Sequence, residues 1–400
     1  MKNTNEKFVI IGNGIGGLTA AEEIRKENQT ASIIIISQED YLTYYRMKLS
    51  HSISKEVTMK DLLVHGEDWY DERAIQVLLG KRAEQIDTEN KCVILEDGKQ
   101  IPYDKLLIAN GSTPFMPSLP GIEKQGIYSL RTFKNLKDIQ NYLRDCREVA
   151  VVGGGLLGIE AAWALKDRGL KVHIIQHTGY LLGRQLDEEL ADYVREWLER
   201  EGLIIDLFAD IQELRGDKKV REIYTKDNRT IPADMVLFSI GVRPNINIAE
   251  GTGLKVNRGI LVNQRLKTSI DDIYAAGDIA EVENAASGLW TISMEQGKVA
   301  GKNMAGAEID YVPAQPATIL SIGAFSLFSV GKVGNRLEEI SYKNKDVFHK
   351  LFMEDGKLVG GVLIGDTKKM AKLKKAVQDR VSIKDMAEKG WNALEIIQQF

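Results

Sequence analysis

Two glycine-rich stretches have the spacing of a turn that holds a pyrophosphate. GNGIGG at residues 12–17 and GGGLLG at 153–158 both fit the pattern GxGxxG. In such a turn the first glycine permits a tight bend, the second lets the backbone approach the phosphates, and the third lets helix and strand pack closely. The glycines of the pattern are Gly12, Gly14, Gly17, Gly153, Gly155 and Gly158. One copy alone is weak support, but two copies in one chain predict two bound dinucleotides.

The side chain that ends the second strand of each unit differs between the two copies. After the first turn, IIIISQED places Glu39 at a strand end, where a carboxylate can accept hydrogen bonds from both ribose hydroxyls. After the second turn, KVHIIQHTG ends in Gln176 and His177. The Gln176 amide can still bond a ribose hydroxyl and His177 can tolerate a 2′-phosphate, while the nearest following arginine is Arg184. The sequence leaves the choice between NADH and NADPH open.

Each glycine turn lies between an apolar strand and an alanine-rich helix. In the first copy KFVII (7–11) precedes the turn, and IIII (33–36) follows the helix. In the second copy EVAVV (148–152) and KVHII (171–175) occupy the same places. Nearly continuous apolar strands are typical of parallel sheets that are covered on both faces. The pattern predicts an α/β fold with two Rossmann-like domains.

Proline- and glycine-rich stretches indicate where the domains divide. We assign the first dinucleotide domain to residues 1–113 and 243–314, and the second to 114–242. Residues 315–400 change to short strands around an Asp-Gly turn and then to two basic or mixed helices. We expect this last segment to form a small C-terminal α+β domain.

The composition is that of a globular protein and argues against several classes. The 400 residues are 44% hydrophobic and 28% charged, with a net charge of −4, so a nucleic-acid-binding protein is not expected. The two cysteines, Cys92 and Cys146, cannot form a CxxC metal or redox motif. The apolar runs are too short to span a bilayer, and the polar start MKNTNEKF predicts no signal peptide. We expect a cytoplasmic protein without a metal site or a membrane anchor.

Four further motifs resemble those of a known family. They are YDKLLIANG (103–111), SLRTF (129–133), SIGVRPN (239–245) and TSIDDIYAAGDIA (268–280). Together with the glycine turns they resemble the flavoproteins related to pyridine nucleotide–disulfide oxidoreductases, over nearly the whole chain. The resemblance implies that FAD binds the first dinucleotide domain and that NAD(H), with NADP(H) not excluded, binds the second.

The resemblance also implies roles for individual residues. In that family the aspartate matching Asp278 bonds the ribityl chain of the flavin, and the arginine matching Arg131 contacts the flavin cofactor. The positions assigned to FAD are Gly12, Gly14, Ile15, Gly17, Glu39, Arg46, Ala109, Gly111, Arg131, Gly277 and Asp278. The positions assigned to NAD are Gly153, Gly155, Leu156, Leu157, Gly158, Gln176 and Gly241.

Three stretches are similar to a narrower branch of the family. YLTYYRMKLS (41–50), LLGRQLD (181–187) and KLVGGVLIGDTKK (357–369) are similar to rubredoxin reductases and to the flavin module of NAD(P)H nitrite reductases. The likeness implies an oxidoreductase that moves hydride from NADH to FAD and passes electrons to a small carrier protein such as rubredoxin. The alternatives are an NAD(P)H dehydrogenase module that serves ferredoxin or a nitrite-reducing partner, and a flavin-bound redox sensor with slow turnover.

The redox cysteines of the family are missing from this sequence. Disulfide reductases of the family carry a cysteine pair in the helix of the first domain, and related peroxidases carry one cysteine at the place of residues 41–50. Neither place holds a cysteine here, and we expect Cys92 and Cys146 to be packing thiols. Because a thiolate relay needs a sulfur beside the flavin, no redox-active disulfide is expected.

Two charged residues are candidates for the reaction itself. Arg46 is expected to pair with the FAD pyrophosphate, and the family often places a lysine five residues later, near flavin N5. Here that position is His51, so Lys48 is predicted to take the role, paired with Glu160 of the second glycine unit. A helix at 293–306 is expected to direct its N-terminus toward the reduced flavin.

A basic stretch near the C-terminus is a candidate docking surface for the electron carrier. KKMAKLKKAVQDR (368–380) contributes Lys368, Lys369, Lys372, Lys374 and Lys375. A patch of this charge can attract an acidic carrier, although most charge runs are solvated faces. The oligomeric state is open between a monomer and a homodimer.

Overall fold

The chain folds into two compact units. The computed structural model describes residues 6–283, 285–286, 288–313 and 315–400, with the backbone alone at 285–286. The first unit comprises Met1–Leu49, Glu56–Phe115 and Gly241–Pro313, and the second comprises Ser50–Lys55, Met116–Ile240 and Ala314–Phe400. The three domain ranges expected from the sequence stay a prediction. Residues 1–5, which belong to the stretch from which no signal peptide was predicted, lie outside the described residues. So does residue 314, the predicted end of the first dinucleotide domain.

The first unit is built around a parallel five-stranded sheet that is buried on both faces. In its central strand Phe8 and Ile10 belong to one core cluster, and Val9 and Ile11 belong to the other. This alternation follows from the two-residue period of a strand. In spatial order the strands are Ile273–Ala275, Lys105–Ile108, Lys7–Ile11, Ser32–Ile36 and Ile75–Leu78.

Two helices of the first unit, Ile15–Glu27 and Trp290–Met304, pack against each other through glycine. A Cβ atom on either Gly297 or Gly301 would come closer than 3.0 Å to the backbone of the first helix. The absence of side chains at these two positions therefore lets the two helix backbones touch. This contact fixes the second helix beside the first glycine turn.

Smaller elements complete the first unit. A short helix spans Glu67–Glu72, and the remaining strands of the part of this unit that the structure describes form two three-stranded sheets and one two-stranded sheet. The strands are Ala83–Asp87, Cys92–Leu95 and Gln100–Pro102; Ile260–Val262, Ala280–Val282 and Ala285–Ala286; and Ser112–Pro114 with Val242–Pro244.

The second unit contains another parallel five-stranded sheet, with the second glycine turn after its central strand. In spatial order the strands are Ile204–Asp206, Lys171–Ile175, Glu148–Val152, Met235–Phe238 and Ile127–Ser129. The helices of this part are Phe133–Tyr142, Leu156–Asp167 and Glu188–Arg200. A three-stranded antiparallel sheet consists of Ile211–Arg215, Glu222–Thr225 and Thr230–Pro232.

The last part of the second unit is an antiparallel five-stranded sheet followed by helices. In spatial order its strands are Ala317–Ile322, Phe325–Gly331, Lys357–Ile364, Phe348–Glu354 and Glu338–Lys343. The expected Asp-Gly turn joins two of them, with positive φ at Asp355 and Gly356. The described residues after 369 form three helices, Met370–Gln378, Lys384–Glu388 and Ala393–Gln399, and not the two expected. The extra break arises because Gly390 adopts a φ of +73° and Asn392 caps the last helix.

The sheets confirm the expected fold class: two Rossmann-like dinucleotide domains and a C-terminal α+β domain. Among the described residues, no helix combines the length and the apolar character needed to cross a bilayer. The same part of the chain holds no group of three or more His, Cys, Asp or Glu side chains arranged for a metal ion.

Candidate dinucleotide sites

The first glycine turn is closed at the first and third glycines of its pattern and open at the second. Gly12 has a φ of +113°, and a Cβ there would come closer than 3.0 Å to the carbonyl oxygen of Ala109. A Cβ on Gly17 would meet the carbonyl oxygen of Gly12 equally closely. At Gly14, by contrast, no described heavy atom lies within 4 Å of such a Cβ. The space in front of Gly14 is where the backbone can approach a phosphate group.

The second glycine turn repeats this geometry in the second unit. Gly153 has a φ of +116°, and its Cβ would collide with the carbonyl oxygen of Ser239. Gly158 is closed by the carbonyl oxygen of Gly153, while Gly155 faces a space that is empty to 4 Å within the described chain. The same steric pattern therefore occurs once in each unit, as the spacing predicts.

Each turn leads into a helix whose N-terminus is free of a side-chain cap. The N-cap residues are the open glycines, and neither helix start has a side-chain capping bond in the described structure. The first backbone N–H groups of a helix then remain available as anion donors. In the second unit Leu157 lies in this first turn and is 52% exposed. Both turns have the donor chemistry that the pyrophosphate of a dinucleotide requires.

Gln176 lies directly at the second turn. Its Oε1 accepts a hydrogen bond of 2.9 Å from the Gly154 N–H, and its Nε2 donates to Thr178 Oγ1 at 2.6 Å. The neighbouring His177 and the more distant Arg184 are both exposed. The amide is therefore held in a fixed orientation at the end of the second strand, and its contact with a ribose stays a prediction.

Glu39 and Arg46 are brought together in the first unit. The Arg46 guanidinium forms an ion pair with Glu39, and the Tyr44 hydroxyl donates to the other oxygen of Glu39 at 2.7 Å. Burial lowers the pKa of Arg46, but the charges of Tyr44, Glu39 and Asp278 outweigh it and the pKa is raised overall. Sequence reasoning assigned Glu39 to ribose and Arg46 to pyrophosphate, and both roles stay predictions. It missed Tyr44, although this residue lies two positions before Arg46.

A buried polar network joins the segment around Tyr44 to the first glycine turn. The Thr43 hydroxyl donates to Asn13 Oδ1 at 2.7 Å, and the Tyr70 hydroxyl donates to Thr43 Oγ1 at 3.1 Å. All three side chains are buried. Because buried polar groups are costly without partners, this network fixes the segment that carries Arg46. The sequence pattern gave no signal for it, since the three residues are far apart in the chain.

Asp278 is buried close to the helix Trp290–Met304. It accepts a hydrogen bond of 2.6 Å from Ser112 Oγ and one of 3.4 Å from Ser293 Oγ. The adjacent Gly277 donates its N–H to Gln296 Oε1 at 2.8 Å. Ser293 and Gln296 lie on that helix, which begins at Trp290 and not at residue 293. The structure therefore brings the expected helix and Asp278 together, through partners that the sequence analysis did not name.

Asn110 takes the place of the threonine in the family motif that ends in Ala-Thr-Gly. Its Nδ2 donates to the Asn245 carbonyl at 3.0 Å, and Asn245 Nδ2 donates back to the Asn110 carbonyl at 2.9 Å. Asn110 Oδ1 is buried and has no hydrogen-bond partner among the described residues. An unsatisfied buried acceptor is costly, so a donor from a bound cofactor would complete it. Ala109 and Gly111 flank it, and Gly111 has a φ of +68°.

Glu160 is buried on the helix Leu156–Asp167, which follows the second glycine turn, and it has two partners in the second unit. Ser50 Oγ donates to its Oε2 at 2.8 Å, and His51 Nε2 lies 3.5 Å from its Oε1. The hydrogen bond to Glu160 raises the pKa of His51. The position that holds a lysine in the family thus brings an imidazole to the carboxylate. The sequence analysis named Lys48 as the partner and missed Ser50 and His51.

Lys48 lies in the first unit, on the short 3₁₀ turn Arg46–Lys48. Its ammonium nitrogen is 4.5 Å from the centre of the Tyr45 ring, which stacks on Trp290 with centroids 5.6 Å apart. The lysine is therefore held beside an aromatic pair. Its expected pairing with Glu160 stays a prediction.

Two expected cofactor residues lie in a different unit from most of the residues assigned to the same cofactor. Arg131 is in the second unit, where its N–H donates to Asn135 Oδ1 at 3.2 Å beside the capped start of a helix. Gly241 is in the first unit, has a φ of +101°, and accepts a hydrogen bond of 2.9 Å from the Phe115 N–H. Their assignments to FAD and NAD stay predictions.

Both cysteines are buried thiols, as expected. Cys92 and Cys146 are 4% and 9% exposed, and neither belongs to a disulfide in the described chain. Burial raises the pKa of both and brings that of Cys146 to about 11. Since the thiolate is the reactive form, neither sulfur is prepared for a redox relay near neutral pH.

The expected docking lysines lie within the helix Met370–Gln378 and directly before it. Lys368, Lys372 and Lys375 are exposed, and Lys369 and Lys374 are half-buried. Lys375 forms an ion pair of 3.0 Å with Asp379. Leu373, Ala376 and Val377 form the buried face of the helix, and the exposed Lys372 and Lys375, three residues apart, lie together on its outer side.

Comparison with known sequences decides the family. The pyridine nucleotide-disulphide oxidoreductase model matches residues 6–297. The chain belongs to this family. The rubredoxin NAD⁺ reductase C-terminal domain model matches residues 316–381. The family uses FAD and NAD(P)H, which confirms the cofactors expected from the sequence, and the open turns of both units are compatible with them.

Individual relatives cover nearly the whole length of the chain. NADH-rubredoxin oxidoreductase of Clostridium acetobutylicum is 33% identical, over 97% of this chain and 98% of that protein. Its crystal structure matches with a TM-score of 0.83 at 31% identity, covering 99% of this chain and all of the other. The assimilatory nitrate reductase electron transfer subunit of Bacillus subtilis is 34% identical over 92% of this chain. That match covers 48% of the relative, so this chain spans about half its length.

Proposed function

We propose that this chain is an FAD-dependent NAD(P)H oxidoreductase that takes hydride from NADH and delivers electrons to a small carrier protein such as rubredoxin. The observation that carries the proposal is the repeated turn, closed at the first and third glycines and open at the second in each unit. An enzyme that transfers hydride from NADH to FAD has to bind two dinucleotides. The likeness to a rubredoxin oxidoreductase over nearly the full length of both proteins supports the choice of carrier.

The residues of the first unit would hold the FAD. When bound, FAD accepts an electron pair as hydride and can release electrons singly. The first turn and its helix would bind the pyrophosphate, and Arg46 would add a charged donor to it. Asp278 would accept from the ribityl hydroxyls, and the start of the helix Trp290–Met304 would stabilise negative charge on the ring.

The residues of the second unit would hold and orient the nicotinamide dinucleotide. The second turn would bind its pyrophosphate, and Gln176 would bond a ribose hydroxyl through the amide that now contacts Gly154 and Thr178. Glu160, with Ser50 and His51, would provide a charged and titratable group for the nicotinamide pocket. The predicted role of Lys48 beside the flavin belongs to the same proposal.

Anaerobic stopped-flow mixing of the holoenzyme with NADH, and then with NADPH, tests the reductase. Rapid loss of the flavin absorbance is expected with at least one nucleotide, and the ratio of the two rates gives the nucleotide preference. A yellow protein that neither nucleotide reduces quickly would contradict the proposal and favour a redox sensor. A protein that cannot bind FAD would overturn the whole assignment.

A second candidate function is electron delivery to ferredoxin or to a nitrate- or nitrite-reducing partner. It is favoured by the 34% identity with the Bacillus subtilis electron transfer subunit, of which this chain spans about half. The reduced holoenzyme is mixed with rubredoxin and with ferredoxin in parallel. Fast electron transfer to rubredoxin supports the first candidate, and transfer to ferredoxin alone supports the second.

The place and the surface of this activity are part of the proposal. A cytoplasmic location is supported by the use of two buried, unpaired cysteines, which is typical of a reducing compartment.

The lysines around the helix Met370–Gln378 would attract an acidic carrier, without nucleic acid or a membrane as partner. Monomer and homodimer both stay open, and sedimentation of the holoenzyme distinguishes them.

A further inference from the structure

Phe208 is an exposed aromatic residue at the ligand edge of the second parallel sheet. It is 71% exposed and follows the strand Ile204–Asp206, which pairs in parallel with Lys171–Ile175. The carboxyl ends of parallel strands share one edge of the sheet, and dinucleotides bind at that edge. Gln176 lies at the end of the neighbouring strand. Phe208 is therefore one strand further from the glycine turn than the expected ribose contact.

The backbone of Phe208 is held in an unusual conformation. Its φ is +52°, which is uncommon for a bulky residue. Arg229 Nη2 donates to the carbonyls of Leu207 and Phe208, both at 3.1 Å, and the Phe208 N–H donates to the Thr178 carbonyl at 3.3 Å. Backbone strain of this kind is concentrated at functional sites. Here it orders an apolar ring that most proteins would bury.

The ring of Phe208 packs on the turn that follows Gln176. A Cβ on Gly179 would come closer than 3.0 Å to Cζ of the Phe208 ring. Glycine at this position leaves room for the ring, while most of the phenylalanine stays accessible. The ring and the Gln176 amide are thus fixed by the same turn, because Thr178 accepts from Gln176 Nε2 through its hydroxyl and from Phe208 through its carbonyl.

We propose that Phe208 is the stacking platform for the adenine of the nicotinamide dinucleotide. The inference rests on the proposed function and adds a specificity residue to it. Adenine lies beyond the adenosine ribose when seen from the pyrophosphate, and Phe208 lies beyond Gln176 when seen from the glycine turn. A rigid aromatic ring binds a base face through stacking, with no need for a specific hydrogen bond. A ligand that lacks a base at this place gains nothing from this residue.

Calorimetric titration of the oxidised holoenzyme with NAD⁺ and with ADP-ribose tests the inference without any turnover. The variants are Phe208→Ala, which removes the platform, and Phe208→Trp, which retains an aromatic ring. The matched control is Ile319→Ala, because Ile319 is also an exposed apolar residue of the second unit, at 50% exposure. The flavin absorption spectrum checks that each variant keeps its FAD.

Phe208→Ala is expected to raise the Kd of both ligands about tenfold, while Phe208→Trp and Ile319→Ala stay close to the wild type. Unchanged affinity for ADP-ribose in Phe208→Ala would overturn the inference, and so would a loss that Phe208→Trp does not restore. Slower reduction of the carrier with unchanged NAD⁺ affinity would also overturn it, since Phe208 would then contact the carrier. A wild-type protein that binds neither ligand would contradict the proposed function itself.

Discussion

At the scale of single residues, the glycines of each turn divide into two kinds. Gly158 is closed by a backbone oxygen, whereas Gly155 faces open space and has a φ of −84°, which alanine adopts without strain. A methyl group on Gly158 would push the backbone apart. A methyl group on Gly155 would only occupy the place of a phosphate. The two substitutions should therefore affect different properties.

We expect Gly158→Ala to lower the free energy of unfolding by about 1–3 kcal/mol, as overpacking does. Gly155→Ala should leave it within about 1 kcal/mol of the wild type and weaken NAD⁺ binding. Urea denaturation measures the first effect and calorimetry the second. Equal destabilisation by both variants would contradict the steric difference between the two glycines.

The pair of His51 and Glu160 makes a prediction about pH. The hydrogen bond to Glu160 raises the pKa of His51, so the folded protein favours the imidazolium. The stabilising contribution of this pair is complete below the ordinary histidine pKa of about 6.5 and is lost as the pH rises through the raised pKa. Because the His51 side chain is 46% exposed, solvent weakens the effect on stability, and the pKa is the better readout.

Glu160→Gln should lower the pKa of His51, because the charge that favours the imidazolium is removed. A titration of the His51 ring proton signals by NMR measures it, and Ser50→Ala is the matched control that retains the charge. The same His51 pKa in Glu160→Gln and in the wild type would refute the pairing. If Glu160 also acts in the nicotinamide pocket, Glu160→Gln slows flavin reduction by NADH.

At the scale of elements, a buried lysine joins the C-terminal sheet to a helix of the second Rossmann-like domain. Lys350 Nζ donates to Asp187 at 2.9 Å and to Glu189 at 2.8 Å, with Glu339 at 3.2 Å. Lys350 and Asp187 are each 2% exposed, and Asp187 also caps the helix Glu188–Arg200. The aspartate of the GRQLD motif is Asp187, and its structural role is to supply the counter-charge for Lys350 and to cap the helix.

Lys350→Met should lower the free energy of unfolding by about 3–5 kcal/mol, because it leaves Asp187 buried without its counter-ion. Lys343→Met is the matched control; Lys343 is 51% exposed and 3.8 Å from Glu189, so a change below about 1 kcal/mol is expected. Urea denaturation gives both values. Adding Asp187→Asn to Lys350→Met should recover part of the loss, and no recovery would argue against an unpaired charge as the cause.

At the scale of the whole molecule, the net charge of −4 contrasts with the local group of exposed lysines around Met370–Gln378. If these lysines attract an acidic carrier, the bimolecular rate of carrier reduction should fall about tenfold from low to high salt. Lys368→Glu with Lys372→Glu should reduce the rate at low salt and remove most of this salt dependence. The rate of flavin reduction by NADH should not change.

Lys226→Glu is the control for the docking surface. Lys226 is 67% exposed and lies in the turn between the strands Glu222–Thr225 and Thr230–Pro232 of the second unit. Its reversal therefore changes the net charge without altering the proposed surface. Stopped-flow mixing of the reduced holoenzyme with rubredoxin measures all variants. Equal slowing by Lys226→Glu would attribute the effect to net charge and not to docking.

The sequence alone determined the two βαβ units, the open and closed glycines and the fold class. These follow from local physical requirements: an apolar strand to be buried, a positive φ at Gly12 and Gly153, and a third glycine where helix meets strand. The absence of a reactive cysteine was also readable, because it depends on composition. The extra helix break near the C-terminus was missed, since one glycine and one cap are weak signals among the charged residues there.

Only the tertiary structure decided which distant residues meet. Ser50 lies 110 positions from Glu160 in the chain, and both it and its neighbour His51 contact that carboxylate. Gly297 and Gly301 let two helices touch. Phe208 is placed one strand beyond Gln176. None of these contacts has a local pattern, because each arises where separate segments converge after the sheets have formed. The two glycine turns are therefore determined by short stretches of the sequence. The residues that contact and orient the groups around them are brought together only by the way the strands and helices are connected.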